Sequence, residues 1–145
     1  MGDISKDINS KFTDSRVKAL INIKYTSNWI KSRQNDFFKP FGISPQQYNI
    51  LRILRGAKKA IKVQVIKDRM VERAPNATRL MDKLYDKNYI QRIRCEDDRR
   101  VVYISITNAG LDLLKITDNE LNFEFMNNLS LEEAEHLSLL LDKIR

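Results

Sequence analysis

Asn76, Thr78 and Arg79 lie almost side by side, and Lys83 follows one helical turn beyond Arg79. An amide and a guanidinium each present two polar atoms in one plane, which suits the edges of adenine and guanine respectively. A threonine methyl suits the methyl of thymine. A second set sits further on. Arg94 precedes the run Glu96-Asp97-Asp98-Arg99-Arg100, and an arginine such as Arg100 at the tip of a turn can enter a narrow duplex groove, where negative potential is enhanced. Arg94 and Arg99 would add contacts to phosphate. Asp98 is a poor partner for phosphate, so its expected role is to orient an arginine within the run. Lys58, Lys59 and Lys62 form a third cluster, readable equally as a grip on a phosphate backbone or as a solvated lysine run.

The parts for catalysis are missing. Gly2, Gly42, Gly56 and Gly110 are scattered and build no phosphate loop. His136 and Cys95 are far apart in sequence, a poor nucleophile–base pair and too few ligands for zinc. The paired carboxylates Asp97 and Asp98 sit among arginines. No enzyme, metal or cofactor is therefore expected. A lone cysteine makes no internal disulfide, which fits a reducing cytoplasm, and in a strand it reads as a small hydrophobe ahead of a redox sensor. No apolar run approaches a membrane span, and the polar, acid-bearing start from Met1 to Arg16 argues against a leader.

The net charge of +7 over 145 residues is concentrated rather than spread. Between Arg52 and Arg100 there are fifteen Lys and Arg against seven Asp and Glu, whereas from Val101 onward three bases face eight acids. A basic surface without a partner has no need of that segregation, but a central block that meets a polyanion does.

These side chains need elements to hold them. Val17, Leu20, Ile21, Tyr25 and Trp29 follow the rhythm of a long first helix, starting near residue 5 or 14 and ended by Phe37-Phe38-Lys39-Pro40-Phe41-Gly42. Ser44-Pro45-Gln46-Gln47 restarts helix with a capping serine, a proline at the first helical position and a glutamine to complete a capping box. Tyr48, Leu51 and Leu54 form its inward stripe, and Gly56 is the expected stop. A short helix from Lys62 to Val71, with Val65, Ile66 and Met70 inward, precedes another from Pro75 to about Asn88. There Ala77, Leu80, Met81, Leu84 and Tyr85 face in, which leaves Asn76, Thr78, Arg79 and Lys83 outside. A solvated amphipathic helix has the same outer face, but two short helices in tandem make a helix-turn-helix.

The period then changes to two. Ile90 to Cys95 and Val101 to Ile106 read as a β-hairpin tipped by the charged run. Thr107-Asn108-Ala109-Gly110 opens a helix carrying Leu113, Leu114, Leu121 and Phe125, and Ser130-Leu131-Glu132-Glu133 is a second capping box before Ala134, Leu137, Leu141 and Ile144.

In this order the elements resemble the MarR family of winged-helix regulators. The resemblance rests on Ser44-Pro45-Gln46-Gln47-Tyr48-Asn49-Ile50-Leu51, on Thr78-Arg79-Leu80-Met81-Asp82-Lys83-Leu84, and on Asp98-Arg99-Arg100 through Ser105-Ile106-Thr107-Asn108-Ala109-Gly110. It covers about Ser44 to Leu114 by motif and the flanks by helix pattern. The turn Met70-Val71-Glu72-Arg73-Ala74 lacks the small residue often found there, and the wing has one Asp-x-Arg.

The expectation is a mainly α fold with a small β-hairpin wing, a winged helix-turn-helix flanked by N- and C-terminal dimerisation helices. Residues 1–145 would form one domain, with a reading lobe at about 44–107 and dimerisation helices at about 1–40 and 108–145. The resemblance implies a cytoplasmic homodimer that binds a palindromic site on double-stranded DNA as a transcriptional regulator without a membrane partner; a repressor released by a small-molecule effector or an oxidant is the expected form, and a ligand-free repressor or an activator stays open. Tyr25, Trp29 and Tyr48 are the aromatics that could line an effector pocket, although at helical spacing they also suit a core. The competing reading is a winged-helix protein-interaction module without specific DNA binding.

Overall fold

The computed structural model describes residues 2–145; Met1 lies outside the described residues. One helical turn, α1 (Ile4–Asp7), stands apart, and the long α2 (Ser15–Phe38) starts at the later of the two expected points, near residue 14 rather than 5. A 3-10 turn over Lys39–Phe41 and Gly42, at φ 69°, redirect the chain into α3 (Pro45–Ala57). Here the capping box is complete: the Gln47 N–H donates to Ser44 Oγ at 3.1 Å, and the Ser44 N–H donates to Gln47 Oε1 at 2.9 Å. Gly56 does not stop this helix. The chain passes through it to Ala57, and Lys58 takes the left-handed cap at φ 55°.

Next come β1 (Ile61–Lys62), α4 (Val63–Arg69) and α5 (Ala77–Asp86). After α5, Asn88 reverses the chain at φ 61°, a conformation that asparagine tolerates better than most residues. The hairpin strands are β2 (Ile90–Arg94) and β3 (Val102–Ile106), followed by α6 (Asn108–Glu120), a 3-10 turn (Glu124–Asn128) and α7 (Leu131–Ile144). The sheet has three antiparallel strands in the order β1-β3-β2, with Ile61 opposite Ile104 and Ile90 opposite Ile106. The hairpin is thus not alone. Two residues are too few to show alternation, which is why β1 is invisible in the sequence.

The core gathers where α3, α4, α5 and the sheet converge. Ile50, Leu51, Leu54, Ile66, Met81, Leu84, Ile90, Ile104 and Leu114 are buried there. Gly110 lets α6 approach the sheet, because a β-carbon at that position would stand 2.4 Å from the Tyr89 carbonyl oxygen. The flanks are packed differently. Phe38 is the buried residue of α2, and α7 buries none. Helix α6 also ends sooner than its apolar pattern suggested, at Glu120, so Leu121 and Phe125 lie beyond it.

Candidate nucleic-acid interface

Helix α5 begins two residues later than the proline signal suggested. Pro75 and Asn76 form a turn, and Asn76 becomes the N-cap of α5 with no hydrogen bond from its own side chain to the helix. Its carbonyl accepts the Leu80 N–H at 3.0 Å, which leaves the Asn76 amide, Thr78 and Arg79 exposed around the first turn. Lys83 is exposed one turn on, on the face of Arg79. Ala77, Met81 and Leu84 turn inward as expected, but Tyr85 does not: it is 48% exposed. Its ring is covered by the Arg92 guanidinium, 4.4 Å from the ring centroid, and the same guanidinium pairs with Asp82. One arginine of β2 therefore grips two side chains on the outer side of α5. The sequence reading missed this brace, because nothing in the chain order marks Arg92 as the partner of a helix.

The hairpin tip places Arg94, Asp98, Arg99 and Arg100 on the surface. Asp98 does orient this segment, but through the backbone: its Oδ1 accepts the Arg100 N–H at 3.0 Å, and the Val101 N–H donates to the Asp98 carbonyl, also at 3.0 Å. A carboxylate that caps the backbone two residues on is a local turn device. Among the described residues, neither Asp98 nor any other acid forms an ion pair with Arg79, Lys83, Arg94, Arg99 or Arg100. Exposed cations left without partners, on a helix and on the hairpin beside it, attract a polyanion at little desolvation cost.

The turn before α5 is pinned from three sides. The Val71 N–H donates to Asn49 Oδ1 at 2.9 Å, Gln46 Nε2 donates to Glu72 at 3.1 Å, and Lys31 Nζ pairs with Glu72 at 2.6 Å. Side-chain anchors hold a turn that has no glycine of its own. Lys83 also borders a cleft of about 480 Å³ with Asn35, Lys39, Gly42, Ser44 and Lys87. Lys58 and Lys59 line a different cleft of about 340 Å³, with Leu54, Ile106 and Leu111, so the lysine cluster does not join Lys83.

The three aromatics expected at an effector pocket are not brought together in either cleft. Tyr25 and Trp29 are 41% and 40% exposed on α2, and Trp29 meets Phe125 edge to face at 5.2 Å. Tyr48 instead belongs to the core of the lobe, stacked on Phe38 at 4.5 Å, with its hydroxyl donating to Asp118 Oδ1 at 2.6 Å. Arg55 pairs with the other oxygen of Asp118 at 2.6 Å. Burial acts to raise the Asp118 carboxyl, but the hydrogen bonds from Tyr48 and Arg55 outweigh it and hold the group below the usual carboxylate range. Burial, reinforced by Asp118, pushes the Tyr48 phenol up. Cys95 is half-buried just past β2, with its N–H donating to the Val101 carbonyl. His136 is exposed on α7.

A tandem of short helices, the second with a polar outer face, braced to an arginine-tipped hairpin in a small sheet, defines a winged helix-turn-helix protein. The sequence profile of the MarR family matches residues 43–102. A MarR transcription factor from Planctomyces limnophilus has a crystal structure that superposes with a TM-score of 0.71 at 32% identity, over 92% of this chain and 98% of that one. The multiple antibiotic resistance protein MarR of Escherichia coli is 26% identical over 114 residues, 76% of this chain and 78% of that protein. A cysteine-to-serine mutant of E. coli MarR complexed with operator DNA superposes with a TM-score of 0.75 at 24% identity, over 92% of this chain and 99% of that one. The chain belongs to the MarR family: it is a transcriptional regulator with a DNA-binding winged helix, and not an enzyme.

Proposed function

We propose that two copies of this chain join through α1, α2, α6 and α7 and bind a palindromic operator on double-stranded DNA as a repressor. Asn76, Thr78, Arg79 and Lys83 enter the major groove, and Arg94, Arg99 and Arg100 follow the backbone and the adjacent minor groove. The observation that carries the reading is the unpartnered polar and cationic face of α5 beside an arginine-tipped hairpin. The duplex bound by the E. coli relative makes the same ligand class the natural one to test here. Dimerisation is supported by the apolar side chains that the flanks leave exposed, among them Leu20 at 56% and Leu140 at 48%. Two copies related by a two-fold axis would read half-sites about one helical turn apart. Such a regulator works where the DNA is, in the cytoplasm, and no helix among the described residues is long and apolar enough to cross a membrane. Release by a small molecule extends the reading. A compound that binds only the native dimer raises its melting temperature by mass action, and it should do so in proportion to the DNA it displaces.

The decisive experiment selects duplexes from a random-sequence library and measures affinity for selected and random DNA across salt concentrations. Arg79→Ala should cost about 1–3 kcal/mol on the selected duplex and relax preference at one position per half-site. Arg100→Ala should weaken both duplexes alike and flatten the salt dependence. Equal loss on both duplexes for Arg79→Ala would make that residue a phosphate clamp. Failure to enrich any duplex would favour a protein-interaction role.

A further inference from the structure

Gln47 and Tyr48 are neighbours on α3, and helix geometry sends consecutive side chains about 100° apart. They reach different elements. Gln47 Nε2 donates to the Leu80 carbonyl of α5 at 3.2 Å, and the Tyr48 hydroxyl donates to Asp118 of α6 at 2.6 Å. Both residues are buried, at 5% and 8% exposure. We propose that α3 is a rigid coupling between α6 and the reading helix, with Tyr48 and Asp118 as positioning residues for operator binding that touch no DNA. The inference rests on the DNA-binding reading above and adds how the two reading helices are held at their separation.

The hydrophobic drive is itself non-directional, and ridge-and-groove packing leaves scatter in the rotation and slide of α3 on α6. Hydrogen bonds of defined length and angle fix both. Asp118 is saturated for this purpose, with one oxygen on the Tyr48 hydroxyl and the other on Arg55. Tyr48, Arg52 and Arg55 share one stripe of α3, and the Arg52 guanidinium lies 5.8 Å from the centre of the Tyr48 ring. The latch lies in the last turns of α6, close to where the chain leaves the lobe for the 3-10 turn and α7. Thr117 beside it is tied back to the Leu113 carbonyl at 2.9 Å and the Leu114 carbonyl at 3.1 Å, which satisfies its buried hydroxyl. Stability alone is a weak account of the ion pair, because Arg55 and Asp118 are each about a third exposed and such pairs contribute little. A two-headed protein gains more from geometry, since the angle of each lobe on its α6 sets the distance between reading helices.

The test compares wild type with Tyr48→Phe, Asp118→Asn and the double variant. The probes are a duplex enriched by the wild-type dimer, the same duplex with its half-sites moved by one and two base pairs, and a random duplex. Each single variant should lose about five- to fifty-fold on the enriched duplex, keep its random-duplex affinity, and discriminate less between half-site spacings. The double variant should be no worse than the worse single, because both break one unit. Tyr48→Phe keeps the ring on Phe38 and serves alone if Asp118→Asn does not fold. Variants that retain the wild-type spacing preference, or lose both duplexes in parallel, would overturn the coupling. Failure of the wild type to enrich any duplex would instead sink the DNA-binding reading itself.

Discussion

The same four-residue device opens a helix in two places, and its surroundings could hardly differ more. At Ser44 the capping glutamine is buried and makes a further bond to the carbonyl of Leu80 on another helix. At Ser130 the capping glutamate is exposed and its bonds stay within the box, at 2.8 Å and 3.1 Å. The contrast extends to the regions these helices serve. From Phe38 to Leu114 the chain encloses one buried core, whereas α2 before Phe38 and α7 carry Val17, Leu20, Leu131, Leu137, Leu140 and Ile144 on the surface. An amphipathic helix with no neighbour to cover it has little stability in water. The lobe is built around a buried core, and the apolar side chains of α2 and α7 are left largely on the surface.

The largest expected effect breaks this asymmetry outright. Leu20→Glu together with Leu140→Glu should turn the proposed dimer into a monomer and abolish operator binding, while the lobe keeps its helical signal. Sedimentation and circular dichroism read the two halves of that outcome, and loss of both signals together would mean that the flanks and the lobe fold as one unit. A smaller effect sharpens the comparison of caps. Ser44→Ala and Ser130→Ala each remove an N-cap, a loss of about 1 kcal/mol. Only Ser44→Ala should also lower operator affinity, because its helix holds α5. Equal binding by the two variants would separate α3 from the reading head.

The smallest effect is a matter of sign. The folded Asp118 carboxyl lies below its unfolded value, so its contribution is present above the ordinary carboxylate range and is lost as pH falls through the depressed value. The stability gap between wild type and Asp118→Asn, read as the difference in urea midpoints, should therefore shrink on acidification from about pH 5 downward. Partial exposure keeps that gap modest. A gap independent of pH would show that the carboxylate's charge is not what Tyr48 and Arg55 hold.

Much of this architecture was legible because it is local. Both capping boxes and the proline at the start of α3 are written within a few residues, and the structure reproduces them; β3 forms where its period of two placed it, with Ile104 buried and Val102 and Ile106 partly buried against the core. The candidate DNA contacts were legible as exposed residues for the same reason: inward Ala77, Met81 and Leu84 force Thr78, Arg79 and Lys83 outward. What escaped depends on distant partners. Tyr48 reads as one more aromatic until Asp118, 70 residues on, comes into contact with it. Tyr85 fits the inward stripe by spacing, and in the fold its ring lies outside, covered by Arg92 from a strand the local pattern does not reveal.

That arginine has a consequence for anyone who would transplant the reading head. Arg92 lies on β2, yet both of its partners, Asp82 and Tyr85, belong to α5. A graft that exchanged Ala77–Asp86 alone would strand Arg92 beside a foreign surface and loosen the hairpin with it. Helix α5 and strand β2 form one structural cassette through these contacts, and sequence changes on the helix that touch those two positions should be accompanied by changes at Arg92.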